Sequence, residues 1–272
     1  MTDEPLLIAR NVRKAFPYRE KWWKPVSHAV ALADVSIDVN RAEIVGLLGE
    51  SGSGKSTLAR IIVGLMQADA GSLTFDGRTL FGGGAPAVRA SQRGVQMVFQ
   101  DPYSSLNPRM RTEQLIGEGL RIAGKASRVE IRDRVTHCME LVGLDPKDRA
   151  LFPHQFSGGQ RQRISIARAL VMEPKLLIAD EAVSALDVSV QMQILNLLLD
   201  LRETMGLSIL FITHNLAVVD YLCDRVAVIE NGAIVESGKT SVVFDDPQQP
   251  YTKALLDAAP KIVAPSVQPQ CS

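Results

Sequence analysis

The chain has 272 residues, enough for one large domain or two smaller lobes. Thirty basic and thirty acidic side chains cancel, so the net basic surface typical of nucleic-acid binding is not expected. No run approaches the roughly 20 apolar residues that cross a bilayer, and the acidic residues 1–5 do not resemble a secretion signal. The three cysteines, Cys138, Cys223 and Cys271, are far apart, which favours neither disulfides nor zinc and fits a reducing cytosol. A role at a membrane would therefore depend on other subunits.

The first part of the chain predicts β-structure. Residues 6–8 and 35–39 have the pattern of short strands, the second with strict alternation. Between them, residues 17–29 are polar and aromatic with two prolines, and we expect an excursion or loop there. Residues 71–75 predict a strand followed by a tight turn, and residues 82–86 predict a flexible surface link.

Residues 101–164 differ in character, because helical patterns dominate after a turn-rich start. We interpret them as a helical insert in an α/β core. The core resumes with a long helix, then a hairpin over residues 226–235 whose Asn231-Gly232 turn suits two positive φ angles. The tail is rich in Pro and Gln, with one short helical stretch at 251–259. The two helical faces that carry this interpretation are Ile131, Val135, Cys138, Met139 and Val142 in the insert, and Val190, Ile194, Leu197, Leu198 and Leu201 in the core.

Four apolar runs end abruptly in polar groups suited to phosphate chemistry. In open parallel α/β sheets, ligands bind beyond the carboxyl ends of the strands. We therefore expect these four strands to lie side by side, with their polar ends converging on one site. The runs are residues 44–48, which enter a glycine-rich loop, 95–99, which end at Gln100, 176–179, which end at Asp180 and Glu181, and 209–212, which end at Thr213 and His214.

The first of these ends matches the phosphate-loop pattern Gly-x-x-x-x-Gly-Lys-Ser over residues 49–56, between a strand and a helix. Its glycines let backbone N–H groups approach phosphate oxygens, and the helix N-terminus adds a partial positive charge. Lys55 can reach the β- and γ-phosphates, Ser56 can ligate Mg²⁺, and Thr57 can hold the α-phosphate. A glycine-rich turn that binds nothing is the weaker alternative in this context. The predicted nucleotide-binding residues are Gly49, Ser51, Gly52, Gly54, Lys55, Ser56 and Thr57, and the buried helix face that follows is Leu58, Ile61, Ile62, Leu65 and Met66.

A second segment, Ser157-Gly158-Gly159-Gln160, has the S-x-x-Q pattern of a capping box at a helix N-terminus. The simplest interpretation is that Ser157 only caps a helix. With two glycines in the first turn, however, the same helix end leaves N–H donors open to an anion. Three arginines of this helix could also reach phosphate, but basic residues on a helix usually form a solvated face, and we favour that interpretation. They are Arg161, Arg163 and Arg168.

The S-G-G-Q run, placed after the phosphate loop and shortly before a strand that ends in Asp-Glu, resembles the signature of the ATP-binding cassette (ABC) family. The resemblance covers residues 6 to about 240. It implies an α/β fold: a P-loop NTPase core with an N-terminal antiparallel β subdomain and an inserted α-helical subdomain. The implied nucleotide-binding domain is 1–240, with a catalytic lobe of 1–100 and 165–240 and a helical lobe of 101–164. Residues 241–272 are then a C-terminal extension of the peptide-importer type.

The resemblance also implies a role for each strand end. Asp180 resembles the Walker B aspartate, which ligates Mg²⁺ together with Ser56 and Gln100. Glu181 is the expected general base, although a solvated carboxylate is the alternative. His214 would contact the γ-phosphate and hold the base and water in line, and Gln100 would join the metal and the water to the helical insert. His28, His137 and His154 lack such support and are expected to be structural.

Other residues are implied to act across a pair of subunits. In the family, the signature of one subunit closes over ATP held by the phosphate loop of another. Here that places Ser157, Gly158, Gly159 and Gln160 on the partner's ATP, together with Asp187, since residues 184–187 match the loop that crosses the dimer interface. Phe16 is the expected adenine-stacking residue. Tyr18, Trp22 and Trp23 remain alternatives.

Three longer segments resemble the dipeptide, oligopeptide and nickel importers of this family: residues 99–110, 153–156 and 250–256. The resemblance implies an ATPase with ATP and Mg²⁺, peripheral on the cytoplasmic face of the membrane. Its implied partners are a second cassette (a copy or a paralogue), two membrane permease subunits and an extracytoplasmic solute-binding protein. Ala182-Val183 and Phe156 depart from the broad ABC pattern, but both departures are usual in the peptide subfamily.

Other functions are compatible with part of the sequence. A cassette of a soluble complex, such as a carbon–phosphorus lyase-like assembly, is the main alternative. A DNA-repair or translation cassette would usually bring tandem cassettes or coiled coils, and zero net charge disfavours a nucleic-acid surface. An inactive binding switch is disfavoured because Lys55, Asp180, Glu181 and His214 are all present.

Overall fold

The computed structural model describes residues 5–19, 22, 27–82, 94–99, 105–124 and 126–258. The strands of this part of the chain form one sheet. They are β1 (Leu7–Tyr18), β2 (Ser27–Val39), β3 (Ile44–Leu48), β4 (Ala70–Phe75), β5 (Arg78–Phe81), β6 (Val95–Val98), β7 (Leu176–Asp180), β8 (Ser208–Thr213), β9 (Arg225–Glu230) and β10 (Ala233–Lys239). Their order across the sheet is β5-β4-β1-β2-β10-β9-β3-β8-β7-β6.

Helices cover the sheet and form the insert. They are α1 (Lys55–Val63), α2 (Thr112–Ile116), α3 (Glu118–Ala123), α4 (Arg128–Leu141), α5 (Gly158–Leu170), α6 (Val188–Met205), α7 (Leu216–Leu222), α8 (Thr240–Asp245) and α9 (Pro250–Ala258). Two short 3₁₀ turns, Pro146–Ala150 and Pro153–Gln155, connect α4 to α5.

The four strands that end in polar groups are neighbours, as predicted. β3 pairs in parallel with β8, β8 with β7, and β7 with β6. The register places Leu48 opposite Thr213 and Asp180 opposite Ile212, so the strands end at the same edge. β3, β7 and β8 are buried at every residue because helices cover both faces, which is why they appear in the sequence as largely apolar runs. β6, at the edge of the sheet, is buried only at Val95 and Val98.

The antiparallel half corrects the predicted loop at 17–29. β1 continues to Tyr18 and β2 begins at Ser27, with Pro17 opposite His28 in the ladder. Pro17 is tolerated because it lies near the end of its strand, where a missing N–H removes little pairing. The strand and tight turn predicted at 71–77 are confirmed by β4, β5 and the positive φ of the two turn residues between them. The predicted link at 82–86 lies outside the described residues except for Gly82.

The helical insert is confirmed between β6 and β7. Helices α2 and α4 pack on α5, and the predicted inner face of α4 is buried at Val135, Cys138 and Met139. The predicted boundary between lobes, at residues 164 and 165, falls inside α5, so this helix belongs to both lobes. The apolar side chains around α5 and α6 form one core, on the face of the sheet that these helices cover. A second core lies on the opposite face, around α1 and the antiparallel strands.

Two local predictions have different outcomes. The hairpin is confirmed: β9 and β10 are joined by Asn231 (φ 47°) and Gly232 (φ 78°). The buried face predicted after the phosphate loop holds for Leu58, Ile61 and Ile62 but is wrong for Leu65, which is 61% exposed. The reason is that α1 ends at Val63, where Gly64 adopts the left-handed conformation that stops a helix.

Candidate nucleotide site

The phosphate loop is held from behind by strands of the antiparallel half. The turn residue Gly232 donates its N–H to the Ser53 carbonyl at 3.0 Å. A β-carbon on Gly54 would lie 2.4 Å from the Ala31 carbonyl, and one on Gly49 would lie 2.3 Å from the Ile229 carbonyl. Glycine is therefore required at both positions for the loop to fit against the sheet.

The front of the loop is open. A cavity of about 240 Å³ is lined by residues of the loop together with Glu181 and Ala31. A β-carbon on Gly52 would meet nothing within 4 Å, so the loop is closely packed at its back and accessible on the cavity side. The lining residues are Ala31, Ser51, Gly52, Gly54, Lys55, Ser56, Thr57 and Glu181.

Lys55 is a buried cation at the floor of this cavity. Its Nζ donates to the Gly49 carbonyl at 2.7 Å and to the Glu50 carbonyl at 2.6 Å. Burial lowers the pKa of Lys55, and the nearby carboxylates Glu181 and Asp180 oppose that shift. A buried ammonium that has carbonyl partners and faces an open cavity fits the binding of an anion such as phosphate.

Ser56 and Asp180 are brought together although 124 residues separate them. The Ser56 hydroxyl donates to Asp180 Oδ1 at 3.2 Å. Burial raises the pKa of Asp180, the Ser56 hydrogen bond lowers it, and the charge of Glu181 raises it further. A hydroxyl and a buried carboxylate side by side are oxygen donors of the kind that Mg²⁺ prefers, and a bound cation would stabilise the charged carboxylate.

Glu181 and His214 form a pair at the edge of the cavity. His214 Nδ1 lies 3.1 Å from Glu181 Oε1, and the histidine is the more exposed partner. Glu181 has a left-handed backbone (φ 48°), and its N–H donates to the Ile212 carbonyl of β8 at 2.9 Å. The chain thus turns sharply at the end of β7, which directs Glu181 differently from Asp180. Gln100, predicted to act with them, lies outside the described residues.

The signature segment forms the predicted capping box. The Ser157 hydroxyl accepts from Gln160 N–H at 3.3 Å, and Gln160 Oε1 accepts from Ser157 N–H at 2.9 Å. Gly159 lies directly under α6, because a β-carbon there would come 2.4 Å from Val190 Cγ1. Asp187 caps α6 by accepting from Val190 N–H at 3.0 Å. This segment and the phosphate loop's cavity share no lining residue within the described chain.

The structure corrects the solvated face predicted for the arginines of α5. Arg168 donates to the Ser105 carbonyl at 2.8 Å and to Glu118 at 2.9 Å. Arg163 donates to the Val142 carbonyl, and Arg161 to the Pro153 carbonyl. The arginines are partly buried because α5 runs through the insert, where its donors satisfy carbonyl groups at the ends of other segments.

The adenine-stacking prediction stays a prediction. Phe16 lies in β1 and is 37% exposed, with Lys14 Nζ 5.6 Å from its ring centre. It does not line the cavity of the phosphate loop. Tyr18 lies at the end of the same strand, Trp22 is exposed, and Trp23 lies outside the described residues.

Two contacts were missed by the sequence analysis. Ala31 enters the cavity from β2, and no local pattern marks a residue that contributes through its backbone position. Tyr251 of α9 accepts a hydrogen bond from Glu50 N–H at 3.1 Å, within the phosphate loop. The only available signal for Tyr251 was its place in residues 250–256, a segment already noted for its resemblance to peptide importers.

The fold and the site together define a nucleotide-binding cassette, and comparisons with known proteins agree. The model of the ABC transporter family matches residues 32–184, and the chain belongs to that family. The C-terminal region of oligopeptide/dipeptide transporters matches residues 235–269. Membership implies ATP binding, and the cassette family is one of ATPases.

Individual relatives show how far the similarity extends. A putative peptide import ATP-binding protein of Brucella ovis is 46% identical over 96% of this chain and 80% of its own length. Among solved structures, cbiO1 from Clostridium perfringens, part of the ABC transporter complex cbiONQ, has a TM-score of 0.75 at 28% identity, covering 90% of this chain and 92% of that one. The cassette MJ0796, solved as a dimer in a post-hydrolysis state with ADP and Pi, has a TM-score of 0.73 at 28% identity, covering 86% and 98%. The predicted family and fold class are confirmed.

Among the helices that the structure describes, none is long and apolar enough to cross a membrane.

Proposed function

We propose that this chain is the ATP-hydrolysing subunit of a membrane importer for di- or oligopeptides or a related small solute. The observation that carries the proposal is the Glu181–His214 pair at the edge of the phosphate-loop cavity, 3.1 Å apart. The match of residues 235–269 to oligopeptide/dipeptide transporters favours an importer over a soluble assembly.

ATP would bind with its phosphates in the cavity of about 240 Å³. Backbone N–H groups of the loop and the N-terminus of α1 attract the phosphates. The Lys55 ammonium has three N–H donors, so it would keep its bond to the Gly49 carbonyl and turn the other two donors to the β- and γ-phosphates. Ser51, Gly52 and Thr57 line the same wall. Phe16, near the start of the chain, is our candidate for stacking on the adenine.

Ser56 and Asp180, with Gln100, would hold Mg²⁺. When bound, the ion would neutralise charge that develops on the β- and γ-phosphate oxygens. The 3.2 Å contact between the Ser56 hydroxyl and Asp180 keeps both donors at one point beside Lys55. Burial of Asp180 makes it a better ligand than a solvated carboxylate, because less water competes for it.

Glu181 would accept a proton from the attacking water. The left-handed backbone at Glu181 and the hydrogen bond to Ile212 fix its carboxylate toward the cavity. His214, just after the end of β8, contacts the same carboxylate, which would restrict the rotation of Glu181 and align base and water. The two residues follow neighbouring strands, so the sheet sets their separation.

A second cassette would complete the site. The N-terminus of α5, with its Ser157 cap and Gly158-Gly159 first turn, carries N–H donors that do not line the cavity of its own phosphate loop. We propose that these donors, with Gln160 and Asp187, contact ATP held by a partner cassette. The dimeric MJ0796 cassette supports such a pair.

Permease subunits would link the pair to the membrane, peripherally and at the cytoplasmic face. A groove of about 210 Å³ lies between β6 and helices α3 and α5, and its lining includes Phe99 and Ser105. The apolar side chains Phe99, Ile122 and Met172 line it next to Glu118 and Arg168. It is our candidate for the permease contact. The complete system would include an extracytoplasmic solute-binding protein and Mg²⁺-ATP.

The test is uptake in cells that lack this chain. Labelled dipeptides, longer peptides and Ni²⁺ would be supplied separately, with wild-type chain or Glu181→Gln returned on a plasmid. We expect uptake of one peptide class to be lost, restored by wild type and not restored by the variant. Unchanged uptake of all three in the deletion strain, with no permease co-purifying with the chain, would contradict the proposal.

A further inference from the structure

Helix α9 is tied to the body of the cassette at its N-terminus. Glu236 of β10 accepts hydrogen bonds from Gln248 N–H at 2.8 Å and Gln249 N–H at 3.1 Å, just before the helix begins. Burial raises the pKa of Glu236, but the Gln248 and Gln249 donors, together with Thr252 and the charge of Lys253, outweigh it and the pKa is lowered. The carboxylate therefore stays ionised and fixes where α9 starts.

From this anchored position, Tyr251 reaches the phosphate loop. Its ring packs against the apolar core formed around α5 and α6. Its hydroxyl accepts the N–H of Glu50 at 3.1 Å, across 201 residues of sequence. The contact therefore comes from the packing of α9 and not from the local fold of the loop.

The N–H bonded by Tyr251 belongs to the same peptide unit as the Gly49 carbonyl, one of the two carbonyls that accept from Lys55. In a trans peptide, the Gly49 carbonyl and the Glu50 N–H point to opposite sides. Lys55 Nζ donates to that carbonyl at 2.7 Å, and Tyr251 accepts from that N–H. The peptide is thus held from both sides, and the two hydrogen bonds polarise it in the same direction.

We propose that Tyr251 is a positioning residue for the phosphate loop: its hydroxyl fixes the Gly49–Glu50 peptide, and through it the place of Lys55, before ATP binds. This inference rests on the proposed ATP-binding role of the loop. It gives the Pro250-Tyr251-Thr252 segment a direct link to the nucleotide site. A loop held in its binding geometry loses less conformational freedom when ATP binds.

The position of α9 adds a second contact region. Leu255 and Ala258, further along the helix, line a groove of about 680 Å³ together with His214 and Leu216. One helix therefore borders both the phosphate loop and the loop that follows β8. A displacement of α9 would reach both sides of the nucleotide site.

The test is Tyr251→Phe, which removes the hydroxyl and keeps the ring. We expect the KM for ATP to rise roughly three- to tenfold, which is the effect of one lost hydrogen bond, with kcat at saturating ATP within about twofold. Exchange of the Glu50 amide hydrogen should become faster. Thr204→Val is the control, because it removes a hydroxyl that donates to the Asp200 carbonyl at the exposed end of α6.

The KM for ATP and the exchange of the Glu50 amide together separate a displaced phosphate loop from general damage to the protein. An unchanged KM together with unchanged Glu50 exchange would overturn the inference. A lower kcat with an unchanged KM would also overturn it, since that pattern indicates general damage and not a displaced loop. If the wild-type chain itself failed to bind ATP, the proposed function would be wrong, and the inference that rests on it would be overturned as well.

Discussion

Glu181 illustrates how a single residue depends on the strand beside it. Asp180 ends β7 with its side chain against Ser56, and the next residue turns into the left-handed region. That conformation is costly for a residue with a side chain, and hydrogen bonds from Ser184 to the Glu181 carbonyl help to hold it. Of these two adjacent carboxylates, Glu181 consequently lines the cavity, whereas Asp180 lies against Ser56.

Replacing Glu181 with Gln should separate binding from hydrolysis. The amide keeps the size and the backbone but cannot accept the proton of water, so we expect turnover to fall by roughly a hundredfold or more. The affinity for ATP should change little. Steady-state phosphate release and equilibrium ATP binding, measured on the same preparation, check both statements.

The matched control is Glu203→Gln, on the exposed end of α6, where the same loss of charge occurs far from the cavity. It should leave both quantities unchanged. Wild-type turnover in Glu181→Gln would show that another group acts as the base.

At the scale of elements, the N-terminus of α5 is both a helix cap and the proposed contact with the ATP of a partner cassette. This helix end is a regular capping box, and Gly159 is needed because α6 packs within contact distance of its backbone. Capping and packing explain the segment as structure. The first turn is half-buried, and it lies outside the chain's own phosphate-loop cavity, which is lined by other residues.

We expect Ser157→Arg to abolish hydrolysis while the isolated chain still binds ATP. A large cation at this helix end would block close approach of a second cassette. ATP binding by the monomer, measured beside turnover, distinguishes the two effects.

Ser127→Arg is the matched control, because Ser127 caps α4 with the same box to Glu130. Both variants lose a cap, about 1 kcal/mol of stability. Only Ser157→Arg should lose activity. If that variant lost ATP binding as a monomer, Ser157 would be acting in its own site or in folding.

Elements with local signals were predictable from sequence. The strands of the parallel sheet were found because burial on both faces gives continuous apolar runs, and the β9–β10 hairpin because Asn231-Gly232 suits its turn. The extension of β1 and β2 through residues 17–18 and 27–29 was not predictable from sequence, because pairing of the two strands outweighed the local effect of proline. Leu65 was misplaced because Gly64 ended the helix one turn early.

At the scale of the molecule, the candidate site was predictable where each strand end carries its own polar residue. Lys55, Ser56, Asp180, Glu181 and His214 are brought together by the sheet order alone. Contacts made by packing between distant segments were not predictable. Tyr251 on Glu50 and the arginines of α5 on carbonyls of the insert depend on where whole helices come to rest.

A nucleotide site built from the phosphate loop of one cassette and the Ser157 segment of another requires that ATP join two cassettes. The most direct measurement is the molecular mass in solution of the Glu181→Gln chain, alone and mixed with any cassette that co-purifies with it, with and without ATP and Mg²⁺. We predict the mass of two cassettes with ATP and of one without it, and only one cassette in both conditions when Ser157→Arg is added. A mass of one cassette at saturating ATP, or pairing that survives Ser157→Arg, would contradict the account.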